Sequence, residues 1–189
     1  MNEHHATATA IATAIAIAYL GTLAILTGCQ TAQTRPLPVV PERLAVPAGQ
    51  TLSRMLEASG VQIYECKPSH DDPMRMEWTF RAPEAELRDP AGNLVGRHYA
   101  GPTWEARDGS KVVGDVSARY DSPDPNAIPW LLLKARSTTG RGVFSQTTSV
   151  QRLNTSGGKA PTGGCDQAQV GMVARVNYTA EYLFYVSKP

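Results

Sequence analysis

Two kinds of apolar pattern divide the chain. From Ala6 to Leu26 no charged residue interrupts a run of Ala, Thr, Ile, Leu, Gly and one Tyr, an apolar length shared by signal peptides and membrane spans. Beyond about residue 47 the apolar residues come instead in short stretches separated by turn formers. The clearest is 178–186, where Tyr178, Ala180, Tyr182, Phe184 and Val186 fall on one face of a strand. In 61–66, Val61 and Ile63 share one face while Tyr64 and Cys66 share the other, so this strand is covered on both sides. Residues 77–80, 84–88, 94–99, 103–106, 111–113 and 147–153 read as further strands; Pro90 to Asn93 and Asp108-Gly109 read as hairpin turns. Residues 130–135 suit a strand or a helix equally. Only 49–58, with Leu52, Met55 and Leu56 at helical spacing, predicts a helix. The sum is an all-β domain, a mainly antiparallel sandwich or barrel with one short N-terminal helix and long loops. The pattern leaves sandwich and barrel both open.

The first apolar run ends in Leu26-Thr27-Gly28-Cys29, which resembles the lipobox of bacterial lipoprotein signal peptides, where the cysteine is lipidated and becomes the mature N-terminus. That resemblance implies a signal peptide over 1–28 and a lipid on Cys29. The segment before the run, with Glu3, His4 and His5, lacks the usual Lys or Arg, so an uncleaved anchor and an ordinary cleaved leader stay open beside it. Gln30 stands where the family's inner-membrane signal would have Asp, which implies the periplasmic face of the outer membrane. Pro36, Pro38 and Pro41 then forbid helix, so 29–46 reads as a lipidated cysteine and an extended tether. The single β-rich domain occupies 47–189.

Composition narrows the partners. Lys and Arg number 18 against 17 Asp and Glu, for a net charge of +1, and no basic run exists to displace counterions, which excludes nucleic acid. The membrane is reached through the lipid, and the remaining partner is a small molecule, a glycan or an envelope protein. The chain has three cysteines. With Cys29 assigned to the lipid, Cys66 and Cys165 form an even pair in an oxidising compartment, and a disulfide is expected between them.

Six blocks in order carry a second resemblance: Gly60 to Cys66, Trp78 to Ala85, Arg97 to Trp104, Asp108 to Val112, Ile128 to Leu133 and Gln151 to Thr155. The chain resembles the bacterial and fungal family of the domain of unknown function 3455 over residues 47–187. That resemblance implies a secreted β-domain and brings no activity with it.

No residue set supplies an evident reaction. The chain lacks the GxGxxG of a dinucleotide fold, the GxSxG elbow and the SxxK pair, so no cofactor and no activated serine are expected. His70-Asp71-Asp72 is the one compact group of metal-ligand types, and it reads as a solvated loop; no metal is expected. Gly157 to Gly164 lacks the order of a phosphate loop. The densest polar and aromatic group surrounds His98, Trp104 and Glu105, with Arg97, Tyr99 and Asp108 nearby. As a ligand site, Trp104 would stack on a ring and His98 and Glu105 would orient it. The plainer arrangement has Trp104 in the core, His98 hydrogen-bonded and buried, and Glu105 at the surface. The expected function is therefore non-enzymatic binding at the envelope, with a hydrolase or metal-assisted enzyme using His98 and Glu105, or a purely structural protein, as alternatives.

Overall fold

The computed structural model describes residues 39–189. The expected signal segment, Cys29 and the first part of the tether lie outside them. Eight strands follow one another around a single closed antiparallel barrel: β1 (Gln50–Pro68), β2 (Met76–Arg88), β3 (Leu94–Tyr99), β4 (Thr103–Ala106), β5 (Lys111–Tyr120), β6 (Trp130–Thr139), β7 (Thr147–Gly157) and β8 (Val173–Ser187). Each strand pairs with its neighbour in sequence, and β8 returns to pair with β1. Closure gives every strand a neighbour on both sides, although β2 and β5 are paired on one side over only part of their lengths.

Alternation decides what enters the interior. Tyr178, Ala180, Tyr182 and Phe184 of β8 point inward and pack with Leu56, Ala58, Trp104, Leu131, Leu133 and Val150. The intervening Leu183 joins a second cluster with Trp130, Leu132 and Leu153, against which Leu44 is fully buried. That second cluster lies outside the ring. Residues 39–49 lie across it, with one turn of 3-10 helix at Glu42–Leu44. The Gln151 side-chain amide donates to the Leu44 carbonyl at 2.7 Å, and the Tyr185 hydroxyl donates to the Gln151 side-chain oxygen at 2.7 Å. The stretch read as the end of a free tether is thus a strap that completes the fold.

The helix expected at 49–58 is instead the first half of β1. Leu52 and Met55 face the strap cluster, while Leu56 faces the interior, and the pairing with β8 shifts between Leu52 and Arg54. A bulge in a strand covered on both faces reproduces the i, i+3, i+4 spacing that an amphipathic helix would show. The two hairpins stand where the turn formers are, with Gly109 at φ 83° between β4 and β5.

The two ends of the barrel differ. At one, the β6–β7 loop folds inward and Phe144, fully buried, packs on Phe184 with ring centroids 4.6 Å apart. Asp108 holds this plug, accepting from the Ser110 amide and hydroxyl at 2.8 and 2.6 Å and from the Val143 amide at 2.9 Å. At the other end the wall is uneven. β2 meets β3 only over residues 85–88, and β5 meets β4 only over 111–113. Their remaining lengths stand above the short β3–β4 hairpin and leave a notch over Gly101 and Pro102.

Cys66, at the open end of β1, is joined to Cys165 by a disulfide across 99 residues, fixing the long β7–β8 loop to the wall. Cross-linking so long a loop restricts the unfolded chain by up to ~4.7 kcal/mol in the entropic account. Cys66→Ala should therefore melt well below the oxidised wild-type protein, and reduction should lower the wild type toward the variant. Equal melting temperatures in thermal unfolding would contradict this.

Candidate binding cavity

The register of one short hairpin sorts the candidate residues. In β3 and β4, His98 stands directly opposite Trp104, and Arg97 opposite Glu105. Because neighbouring residues on a strand point to opposite faces, the first pair enters the barrel and the second lies outside. His98 and Trp104 stack inside, with centroids 4.6 Å apart and planes within 12°. Tyr182 meets both edge-on. Gly114 makes this possible, because a Cβ there would come within 3.1 Å of the Trp104 ring.

Outside, Glu105 is fully engaged. Its carboxylate accepts from Arg97 at 2.8 Å and from the Tyr99 hydroxyl at 2.9 Å, with Lys111 at 3.4 Å. The Arg97 and Tyr99 bonds hold its carboxyl below the ordinary carboxylate range. The sheet therefore separates His98 from Glu105, and the two do not form a pair. Elsewhere, His70 and Asp71 are fully exposed in the β1–β2 loop and touch each other at 3.3 Å. Among the described residues no group of three His, Cys, Asp or Glu is arranged to hold a metal.

His98 is buried, and its Nδ1 lies 2.9 Å from the Thr103 carbonyl oxygen. A carbonyl only accepts, so Nδ1 carries the proton and donates. Burial pushes the imidazole down to about 3, with the Arg152 charge adding to the effect and the Thr103 bond opposing it. His98 is thus neutral at physiological pH, with Nε2 as an acceptor.

Above this aromatic floor lies a cavity of about 680 Å³. Its wall includes Tyr64, Ile128, Leu131 and Leu133, and it reaches solvent past Phe80 and Val116, which are 51% and 54% exposed. The β5–β6 and β7–β8 loops close one side of the mouth. The Tyr64 hydroxyl donates to the Gly158 carbonyl at 2.6 Å, the Ile128 amide donates to the Gly157 carbonyl at 2.9 Å, and Lys159 donates to the Pro125 carbonyl.

Arg152 is the residue that the sequence reading passed over. It occupies an inward position of β7, in phase with Val150, and is 9% exposed. Its Nε and Nη2 both donate to the Pro129 carbonyl, at 3.1 and 2.9 Å. No carboxylate pairs with it among the described residues. The signal in the sequence was faint, because Arg152 shares its face of the strand with Thr148, Val150 and Asn154, a mixed pattern that does not mark an interior position. Trp104 Nε1 lacks a partner here, while Gln62 Nε2 and the hydroxyls of Tyr178 and Tyr182 adjoin one another and Arg152 as a loose polar chain, without well-formed bonds. The Arg152 charge bears on Tyr64, Tyr178 and Tyr182, yet burial dominates and raises all three phenols, which stay protonated.

Two outcomes follow from this packing. Trp104→Ala should destabilise the domain by ~3–5 kcal/mol, the usual cost of deleting a large buried ring, read by urea unfolding. For His98 the sign comes from linkage: unfolded histidine titrates near about 6.5 and the folded one near 3, so the unfolded state binds more protons between these values. Its stabilising contribution is whole above about pH 6.5 and is lost as pH falls toward 3. Between pH 7 and 4.5 the wild type should lose roughly 2–3 kcal/mol more than His98→Asn, whose side chain cannot titrate. Parallel pH profiles for the two would contradict the neutral, buried histidine.

No curated protein and no solved structure matches the chain. A family profile does match, over residues 47–186, which takes in all eight strands of the barrel but for Ser187 at the end of β8. The chain belongs to the family described as Protein of unknown function (DUF3455).

Proposed function

We propose that this chain is a non-enzymatic binding protein of the cell envelope, carried by a lipid on Cys29, that encloses one small molecule inside its barrel. The observation that carries the reading is the cavity beside Trp104 and His98, about 680 Å³ in volume and open at the notch. Small-molecule sites are concave, mostly apolar, supplied with a few polar groups, and of this size. An eight-stranded barrel has an interior that side chains either fill or share with one small ligand. Here they fill the plugged end, around Phe144 and Phe184, and leave the other end open. The partnerless Trp104 Nε1 and the loosely bonded polar chain beside Arg152 speak against a purely structural role, because buried donors that are poorly satisfied are costly unless something else satisfies them. The enzymatic alternative loses its pair, since Glu105 lies across the sheet from His98.

The reading is tested on the full chain by equilibrium dialysis with three naphthalene probes of one shape: 2-naphthalenemethanol, 2-naphthylmethylammonium and 2-naphthoate. At least one should bind saturably, one per chain. Val116→Trp, a change at an exposed position of the mouth, should abolish that binding while leaving the melting temperature unaltered. Saturable binding that Val116→Trp does not affect, or no saturable binding of any probe, would overturn the reading.

A further inference from the structure

We infer that the occupant is an organic anion, a compact apolar or aromatic body ending in a carboxylate, with the acid group held at Arg152. The inference rests on the enclosed-ligand reading above and adds the class of ligand.

The charge balance of the cavity points this way. Its lining contains four cationic side chains, Arg81, Arg119, Arg152 and Lys159, and no Asp or Glu among the described residues. Three of these cations stand at or near the mouth. Arg152 does not: it is nine-tenths buried, and a single carbonyl, that of Pro129, takes both of its hydrogen bonds. A guanidinium carries five N–H donors, so donors remain beyond the Pro129 carbonyl and the neighbouring Tyr182 hydroxyl. Leaving a cation so deep without a counter-charge is costly, and a bound anion removes that cost.

The buried polar atoms agree. Gln62 Nε2 and Trp104 Nε1 can only donate, and the Tyr182 hydroxyl, which Tyr178 and Arg152 face, has its own proton to donate. A wall rich in donors and poor in acceptors suits a ligand that only accepts. A carboxylate has two acceptor oxygens and matches the planar fork of a guanidinium. A phosphate dianion would bring two charges to one buried cation and lose more hydration, so the monoanion is the better fit. Beside Arg152, its cross-strand neighbour Leu131, together with Leu133 and the Trp104 ring, offers apolar surface for the body of the molecule. Arg81 and Arg119 form no ion pair among the described residues, so they add a positive field at the opening that favours the same sign of ligand.

The experiment compares dissociation constants of the three naphthalene probes for the full chain at pH 7. 2-Naphthoate should bind at least about tenfold more tightly than 2-naphthalenemethanol, the expected advantage of a charge-assisted bond, and 2-naphthylmethylammonium should bind weakest. Arg152→Gln should remove the advantage of the acid and leave the affinity of the alcohol unchanged. The wild-type comparison stands without the variant if Arg152→Gln does not fold. Equal affinities, or a preference for the alcohol or the amine, would overturn the anion while leaving the enclosed-ligand reading intact. A preference for the acid that survives in folded Arg152→Gln would overturn the assignment to Arg152. Saturable binding by none of the three overturns both readings.

Discussion

The pairing of β1 with β8 is the constraint on which the rest depends. It joins the first strand to the last over nearly their whole lengths, and by closing the ring it fixes how many strands surround the interior and hence how much space they enclose. Were the sheet open, Tyr178, Tyr182 and Phe184 would lie on one face of an edge strand. Closed, they meet Trp104 and Leu133 across the barrel, and every inward position competes for a fixed volume. Small residues such as Gly114 are then required where large rings cross the axis.

A closed ring also sorts polarity by register. One hairpin sends a neutral imidazole and an indole inward while the residues beside them form an ion-paired surface cluster of Arg97, Glu105, Tyr99 and Lys111. Both pairs are cross-strand neighbours, and each strengthens the register that the other needs. Arg152 is the exception to this sorting. It follows the inward phase of β7 although it is charged, and the interior around it answers with phenols and amides rather than carboxylates. Its hydrogen bonds to Pro129 tie it to the β5–β6 loop, so the same residue braces the mouth and charges it.

Much of this was legible in the sequence, for definite reasons. Alternation in β8 is unbroken from Tyr178 to Phe184, and the turn formers at Pro90 to Asn93 and Asp108-Gly109 stand where the chain reverses. The cysteine pair was legible by count. The beginning of β1 was not, because the strap makes its outer face apolar as well and the bulge shifts the phase. Closure was not legible either, since nothing local to β1 or β8 records that they are neighbours. At the site, the pattern brought out His98 and Trp104 but joined them to Glu105 by nearness in sequence, whereas one residue along a strand is a change of face. Arg152, Tyr64 and Gln62 were missed because they reach the cavity from β7 and β1, far in sequence from the β3–β4 hairpin that holds His98 and Trp104.

The neighbour relation of β1 and β8 bears on how the chain is made. Synthesis delivers β1 early and β8 last, so the longest strand must wait through most of translation with one side of its backbone unpaired. The Cys66–Cys165 link has the same property, because its second half arrives late. A topology in which the earliest segment is completed by the latest has high contact order and folds slowly. During that interval the exposed edge of β1 is open to pairing with other chains. Safe assembly of this barrel thus depends on what covers its first strand before the last one exists.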